Sequence, residues 1–107
     1  MLLEVLEAAA QAIVEQADYY EQKADRTLAE RWSSSVDEAI QRLLRWPETG
    51  APTRFRSARL TGLRWIAVPR FPKHLIFYRY LPEEQLLRIV QVLHGARDLE
   101  VLIEADK

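Results

Sequence analysis

The stretch HLIFYRYLPEEQLLRIVQVLH, residues 74–94, decides the fold. It holds two runs rich in β-branched and aromatic residues, separated by Pro-Glu-Glu-Gln at 82–85, and this pattern predicts two strands joined by a tight turn. In the second run Leu87, Ile89, Gln91 and Leu93 alternate with Arg88, Val90, Val92 and His94, so both faces are largely apolar. That composition suits a central strand covered on both sides. Immediately upstream, RWIAVP at 64–69 is a third run of the same kind, set off by RFPK at 70–73. The three runs read as an antiparallel meander.

Before the loop PETGAP (47–52) the period changes from two to that of a helix. Ile13, Val14, Ala17, Tyr20 and Ala24 recur at three- and four-residue steps, predicting a helix over about 9–24. Leu28, Trp32, Val36, Ala39, Ile40, Leu43 and Leu44 form the stripe of a second helix. Thr27 and Glu30 have capping-box spacing at its start, and Pro47 stops it. Only a few residues around Asp25 and Arg26 separate the two, so they should fold back as an αα-hairpin. LLEVL at 2–6 reads as a short first strand, and Leu99, Leu102 and Ile103 could form a final helix. The expected fold class is therefore α+β: one domain over 1–107, with a helical hairpin packed on a small antiparallel sheet in the order β-α-α-β-β-β.

The 107 residues suffice for one core without disulfides or metal, and 49% apolar against 29% charged residues is the balance of an ordinary globular protein. With no cysteine, thiolate nucleophiles and cysteine-based metal sites are excluded. Three glycines leave little room for a glycine-rich phosphate loop. The apolar opening carries Glu4 and Glu7 and lacks a basic leader, so it does not read as a signal peptide. The net charge of −1 hides an asymmetry. Residues 49–82 hold seven bases (Arg54, Arg56, Arg59, Arg64, Arg70, Lys73 and Arg79) and no acid, whereas residues 1–48 hold ten acids and five bases. The middle third should present an anion-facing surface.

His74 and His94 invite a metal reading if their strands are neighbours, but no third and fourth ligand accompanies them, so no metal is expected. Ser33 to Ser35 lie in a helical stretch without nucleophile-elbow glycines, which removes a serine hydrolase. Cofactor-free RNA cleavage needs a base, a cation for the phosphorane and an acid. Lys73, Tyr78, Tyr80, Arg79, Arg88, His94 and Arg97 supply suitable groups. The plainer account of HGARD (94–98) is a strand exit: Gly95 turns with a positive φ, His94 lies on the Val90 and Val92 face, and Asp98 caps the last helix.

Together, Pro47-x-x-Gly50 after the second helix, Phe71-Pro72 with Tyr78-Arg79, and the VLHGARD ending resemble the RelE/ParE superfamily of toxins from type II toxin–antitoxin systems, most closely its ParE-like branch. The likeness covers nearly the whole chain. It implies a small cytoplasmic toxin of the plasmid-stabilisation kind, without cofactor, neutralised by a cognate antitoxin. RelE-like members cleave mRNA at the ribosome, and ParE-like members poison DNA gyrase. RelE-like nucleases commonly place a catalytic histidine or tyrosine in their last residues, and here no aromatic residue follows His94. The resemblance therefore favours gyrase, with ribosome and mRNA as the alternative target and an inactive module that only binds its antitoxin as a third reading. It singles out Arg79, His94 and Arg97 as candidate catalytic positions, and the basic residues Arg64, Arg70, Lys73 and Arg79 as target contacts. A sheet apolar on both faces, beside helices bearing Trp32 and two tyrosines, should leave a groove for an antitoxin helix or strand, with Trp32, Tyr78, Tyr80, Val90 and Val92 as its contacts.

Overall fold

The computed structural model describes residues 1–95 and 99–105. Strand β1 (Leu2–Val5) leads into helices α1 (Glu7–Lys23) and α2 (Arg26–Arg45), followed by strands β2 (Ala51–Pro52), β3 (Arg64–Val68), β4 (Phe71–Leu81) and β5 (Leu86–His94), and helix α3 (Leu99–Ala105). The sheet order is β1-β5-β4-β3-β2. The expected meander β3-β4-β5 is present. The sheet is nonetheless mixed: β1 pairs parallel with β5, Leu2 opposite Leu86 and Val5 opposite Ile89. A parallel pair needs a long crossover, and the helical hairpin with β2, β3 and β4 supplies one. Sequence period identifies strands but not the direction of their partners.

Asp25, not Thr27, caps α2: its carboxylate accepts from the Leu28 N–H at 2.8 Å. Trp32 is fully buried and donates its indole N–H to the Ile13 carbonyl at 3.0 Å, which fixes α1 against α2. Val14 and Ala24, counted in the stripe of α1, face solvent, while Ala9, Ala12, Ile13, Ala17 and Tyr20 face the core.

Two apolar clusters lie on opposite faces of the sheet. Under the hairpin, Trp32, Val36, Ala39, Ile40 and Leu43 meet Val68, Ile76, Tyr78, Leu87, Ile89 and Val92. On the other face Leu60, Leu63, Phe77, Val90 and Ile103 pack together, with Phe55 and Leu99 against them. A bulge decides which β5 residues go where. Phe77 pairs with Gln91 and Tyr78 with Ile89, so Val90 is an extra residue in β5. The expected alternation of β5 therefore fails beyond Ile89: Val92 joins Leu87 and Ile89 under the helices, and Val90 lies on the far face. The Gln91 side chain accepts from the Val92 N–H at 2.9 Å beside the irregularity.

The Pro47–Gly50 loop is gripped by two cross-strand neighbours, Tyr78 and Arg64. The Tyr78 hydroxyl donates to the Pro47 carbonyl and accepts from the Gly50 N–H, both at 2.8 Å. The Arg64 guanidinium donates to the carbonyls of Gly50 (2.8 Å) and Glu48 (3.2 Å). A Cβ at Gly50 would lie 2.4 Å from the Tyr78 oxygen and 2.9 Å from the Trp65 carbonyl. Only glycine allows that approach. Burial and this hydrogen bonding act on the same phenol: desolvation raises the Tyr78 pKa above its ordinary value, with the Gly50 N–H opposing.

Removing the hydroxyl leaves the Gly50 N–H and Pro47 carbonyl without their partner. Tyr78→Phe is expected to lower unfolding free energy by about 1–3 kcal/mol. Gly50→Ala should be at least as damaging, because the phenol must move. Urea denaturation followed by tryptophan fluorescence measures both.

Candidate functional site

Strand β4 sends alternate side chains to opposite faces. His74, Ile76 and Tyr78 point under the hairpin, while Leu75, Phe77 and Arg79 point to the far face. The register pairs His74 with His94 and Arg79 with Arg88. The candidate catalytic residues Arg79 and His94 are consequently on opposite sides of the sheet. They do not converge. Arg97, together with the expected cap Asp98, lies outside the described residues.

On the far face, Arg79 donates to the carbonyls of Thr61 (2.6 Å) and Arg59 (2.7 Å). These bonds tie down the basic loop between β2 and β3, whose Ser57 and Arg56 N–H groups donate to the Glu100 carboxylate on α3 at 2.8 and 3.2 Å. Burial, and then Arg88, lower the Arg79 pKa from its ordinary value, which leaves a guanidinium charged at any physiological pH. Arg88 pairs with Glu4 on β1.

The other expected target contacts are similarly engaged, except one. Arg64 holds the Pro47–Gly50 loop. Arg70 occupies the second corner of the β3–β4 turn with φ 70°. Its side chain reaches α2, donating to the buried Ser35 hydroxyl at 3.1 Å and to Glu38 at 3.2 Å. The Lys73 side chain is exposed and has no hydrogen bond or ion pair among the described residues.

Of the five residues expected to meet an antitoxin, Trp32, Tyr78, Val90 and Val92 are at most 4% exposed and belong to the two cores. Their apolar character completes the monomer. Tyr80 is half-buried. A cleft lies instead at the end of the helical layer. Gln16, Tyr19 and Tyr20 of α1, Phe71 to His74 of β4 and His94 of β5 line a cleft of about 570 Å³. Tyr19 is 54% exposed at its mouth. Tyr20, Phe71 and Trp32 pack edge-on or tilted, with ring centroids 5.3–6.0 Å apart.

At the floor His74 sits 4.8 Å from the Trp32 ring and 5.2 Å from the His94 ring, centroid to centroid. The strands of the two histidines are thus neighbours, yet among the described residues no group of three or more His, Asp or Glu is placed to hold a metal. His94 shares the helix side with Val92, not with Val90, because of the bulge. Gly95 does not adopt the expected positive φ; its N–H donates to the Lys73 carbonyl at 2.6 Å and prolongs the ladder. Sequence reading missed Ser35 and Glu100 as anchors, since their partners are 35 and 43 residues away.

Burial, and secondarily His94, lower the His74 pKa below 6.5. The unfolded chain therefore binds this proton more readily than the folded one. Its contribution to stability is complete above about pH 6.5 and is lost as pH falls through the depressed folded value. His74→Gln should flatten the acid limb of a stability-versus-pH curve measured by urea denaturation between pH 8 and 5. On the far face, Arg79→Met should cost about 1.5–3 kcal/mol by freeing two carbonyls, and Arg79→Lys should recover only part of it.

Comparison with known proteins agrees with this architecture. No curated protein sequence matches the chain significantly. Among solved structures, the chromosomal ParDE toxin–antitoxin system of P. aeruginosa superposes with a TM-score of 0.70 at 17% identity, covering 88% of this chain and 95% of that one. The isolated E. coli RelE toxin superposes with a TM-score of 0.56 at 19% identity, covering 97% and 93%. The family model for the ParE toxin of the type II toxin–antitoxin system parDE matches residues 3–99, so the chain belongs to the ParE toxin family.

Proposed function

We propose that this ParE-type toxin acts in the cytoplasm by binding and poisoning DNA gyrase, and that a cognate antitoxin neutralises it. The observation that carries the choice of target is the division of Arg79 and His94 between the two faces of the sheet. RNA cleavage needs an acid–base group within hydrogen-bond reach of the phosphate that a cation stabilises. Arg64, Arg70 and Arg79 are directed at carbonyls, a hydroxyl and a carboxylate of their own chain. A toxin that works by holding a protein target needs surface and charge instead, and the basic loop at 54–59 offers both. No described helix is long and apolar enough to cross a membrane.

An acidic antitoxin segment complements the seven bases of residues 49–82. The cleft beside Tyr19, Phe71 and Lys73, together with Tyr80, takes the place of the buried residues as the open surface for that partner.

Purified toxin added to gyrase and relaxed plasmid should inhibit supercoiling and trap cleaved DNA, and induction in cells should trigger an SOS response. Translating ribosomes should yield no codon-linked mRNA cuts by primer extension. Normal supercoiling at excess toxin, with cuts in mRNA, would overturn the proposal in favour of the nuclease. Absence of both activities and of growth arrest would overturn it in favour of an inactive antitoxin-binding module.

A further inference from the structure

Two of the three tryptophans do not belong to the core. Trp32 is fully buried, whereas Trp46 and Trp65 are 57% and 36% exposed. Trp46 follows the last residue of α2, and the Cζ of Arg45 stands over its ring, 5.3 Å from the centroid. Arg42, one turn earlier, lines two hollows, one of about 500 Å³ with Gln41, Arg45 and Trp46 and one of about 310 Å³ with Thr49 and Trp65. Cations at a helix C-terminus offset its dipole, which accounts for the arginines but not for indoles left in water. We propose that this end of α2 binds a single strand of nucleic acid, with a base stacked on Trp46 and the flanking phosphates paired with Arg42 and Arg45.

The two guanidiniums are free to take phosphates. Unlike those of Arg64, Arg70 and Arg79, they make no hydrogen bond or ion pair with other residues. Among the described residues no acid lines either hollow. Glu38, the neighbour of Arg42 one turn back, is taken by Arg70 at 3.2 Å, and Glu48 lies beyond Trp46 in the next loop. A planar fork pairs with phosphate and also stacks on aromatic rings, so Arg45 serves both needs.

The kind of apolar surface selects a strand over a protein partner. The exposed large aliphatic residues, Met1, Leu2, Leu3, Val14 and Val101, belong to other elements, and the two at these hollows are both indoles. The centre of a protein interface is apolar and poor in charge. Aromatic platforms set among guanidiniums instead match a polymer that alternates flat bases with phosphates. A duplex keeps its base faces in its own stack and offers this surface only charge. The hollows share no residue with the cleft assigned to the antitoxin or with the basic loop at 54–59, so each surface keeps one occupant.

The test uses the whole chain and a fluorescein-labelled thymidine oligonucleotide of about twelve residues, followed by fluorescence anisotropy at several salt concentrations. Binding should saturate, and log affinity should fall against log salt with a slope of about −1.4, from two phosphates at about 0.7 each. Trp46→Leu should weaken binding at least about fivefold, and Trp46→Phe should recover part of the loss. Arg42→Gln and Arg45→Gln should each flatten the slope by about 0.7. All three positions are exposed, and an unchanged urea midpoint verifies each variant's fold. A uridine oligonucleotide of equal length separates the sources: tighter binding assigns the surface to RNA, weaker binding to DNA, and equal binding to the bases and phosphates that both carry. No saturable change, undiminished binding by Trp46→Leu, or equal affinity for an abasic strand would each overturn the proposal, and equal affinity for oligoglutamate would overturn it in favour of an acidic protein partner. Gyrase inhibition is read separately: a chain that inhibits supercoiling but holds no strand loses this inference alone.

Discussion

The hydroxyl of Tyr78 is the constraint on which the rest depends. Placed at the centre of the sheet and fully buried, it is satisfied by the Pro47 carbonyl and the Gly50 N–H, so the end of α2 is fixed over β4. With α2 fixed, Trp32 stands over His74 and Phe71, and its indole sets α1 through the Ile13 carbonyl. The cleft between α1 and β4 is what remains at the end of that stack. Removing the hydroxyl would loosen a loop and, with it, the frame of the site. The next residue, Arg79, does the equivalent work on the other face by anchoring the basic loop to the sheet. The adjacent pair Tyr78-Arg79 is thus a two-sided clamp.

This clamp explains why basic residues in the middle of the chain are poor guides to chemistry when counted from sequence. Arg64, Arg70 and Arg79 each bind groups of the same chain, and their charge reaches solvent as a field and not as free forks. Lys73 is different because the turn at Pro69–Arg70 delivers it to the cleft mouth, where no acid neutralises it among the described residues.

Much of the fold was legible. Helical and alternating periods gave the hairpin, the meander and the short first strand, because burial on one face leaves its spacing in the sequence. The direction of β1 was not legible, since alternation is the same for parallel and antiparallel neighbours. Nor was the bulge at Val90: one inserted residue exchanges the faces of everything after it, and a strand that is largely apolar on both faces carries no mark of where that happens. That exchange moved Val92 and His94 to the helix side and separated His94 from Arg79. Aromatic and apolar residues read as contact surface, Trp32 and Tyr78 above all, proved to be core because size and apolarity do not distinguish the two uses. Tyr19 and Tyr20 of α1, which were not among those contacts, line the cleft beside β4.

Arg79 and His94 lie on different faces of the sheet, and the proposed mode of action requires that they serve no common centre. A double-mutant cycle on Arg79→Met and His94→Gln, read by unfolding free energy and by growth arrest on induction, tests it most directly. The account predicts additive changes in stability, within about 0.5 kcal/mol, and no shared loss of toxicity beyond the sum of the two. A coupling well above 1 kcal/mol, or a toxicity abolished equally by either single change and no further by both, would contradict it.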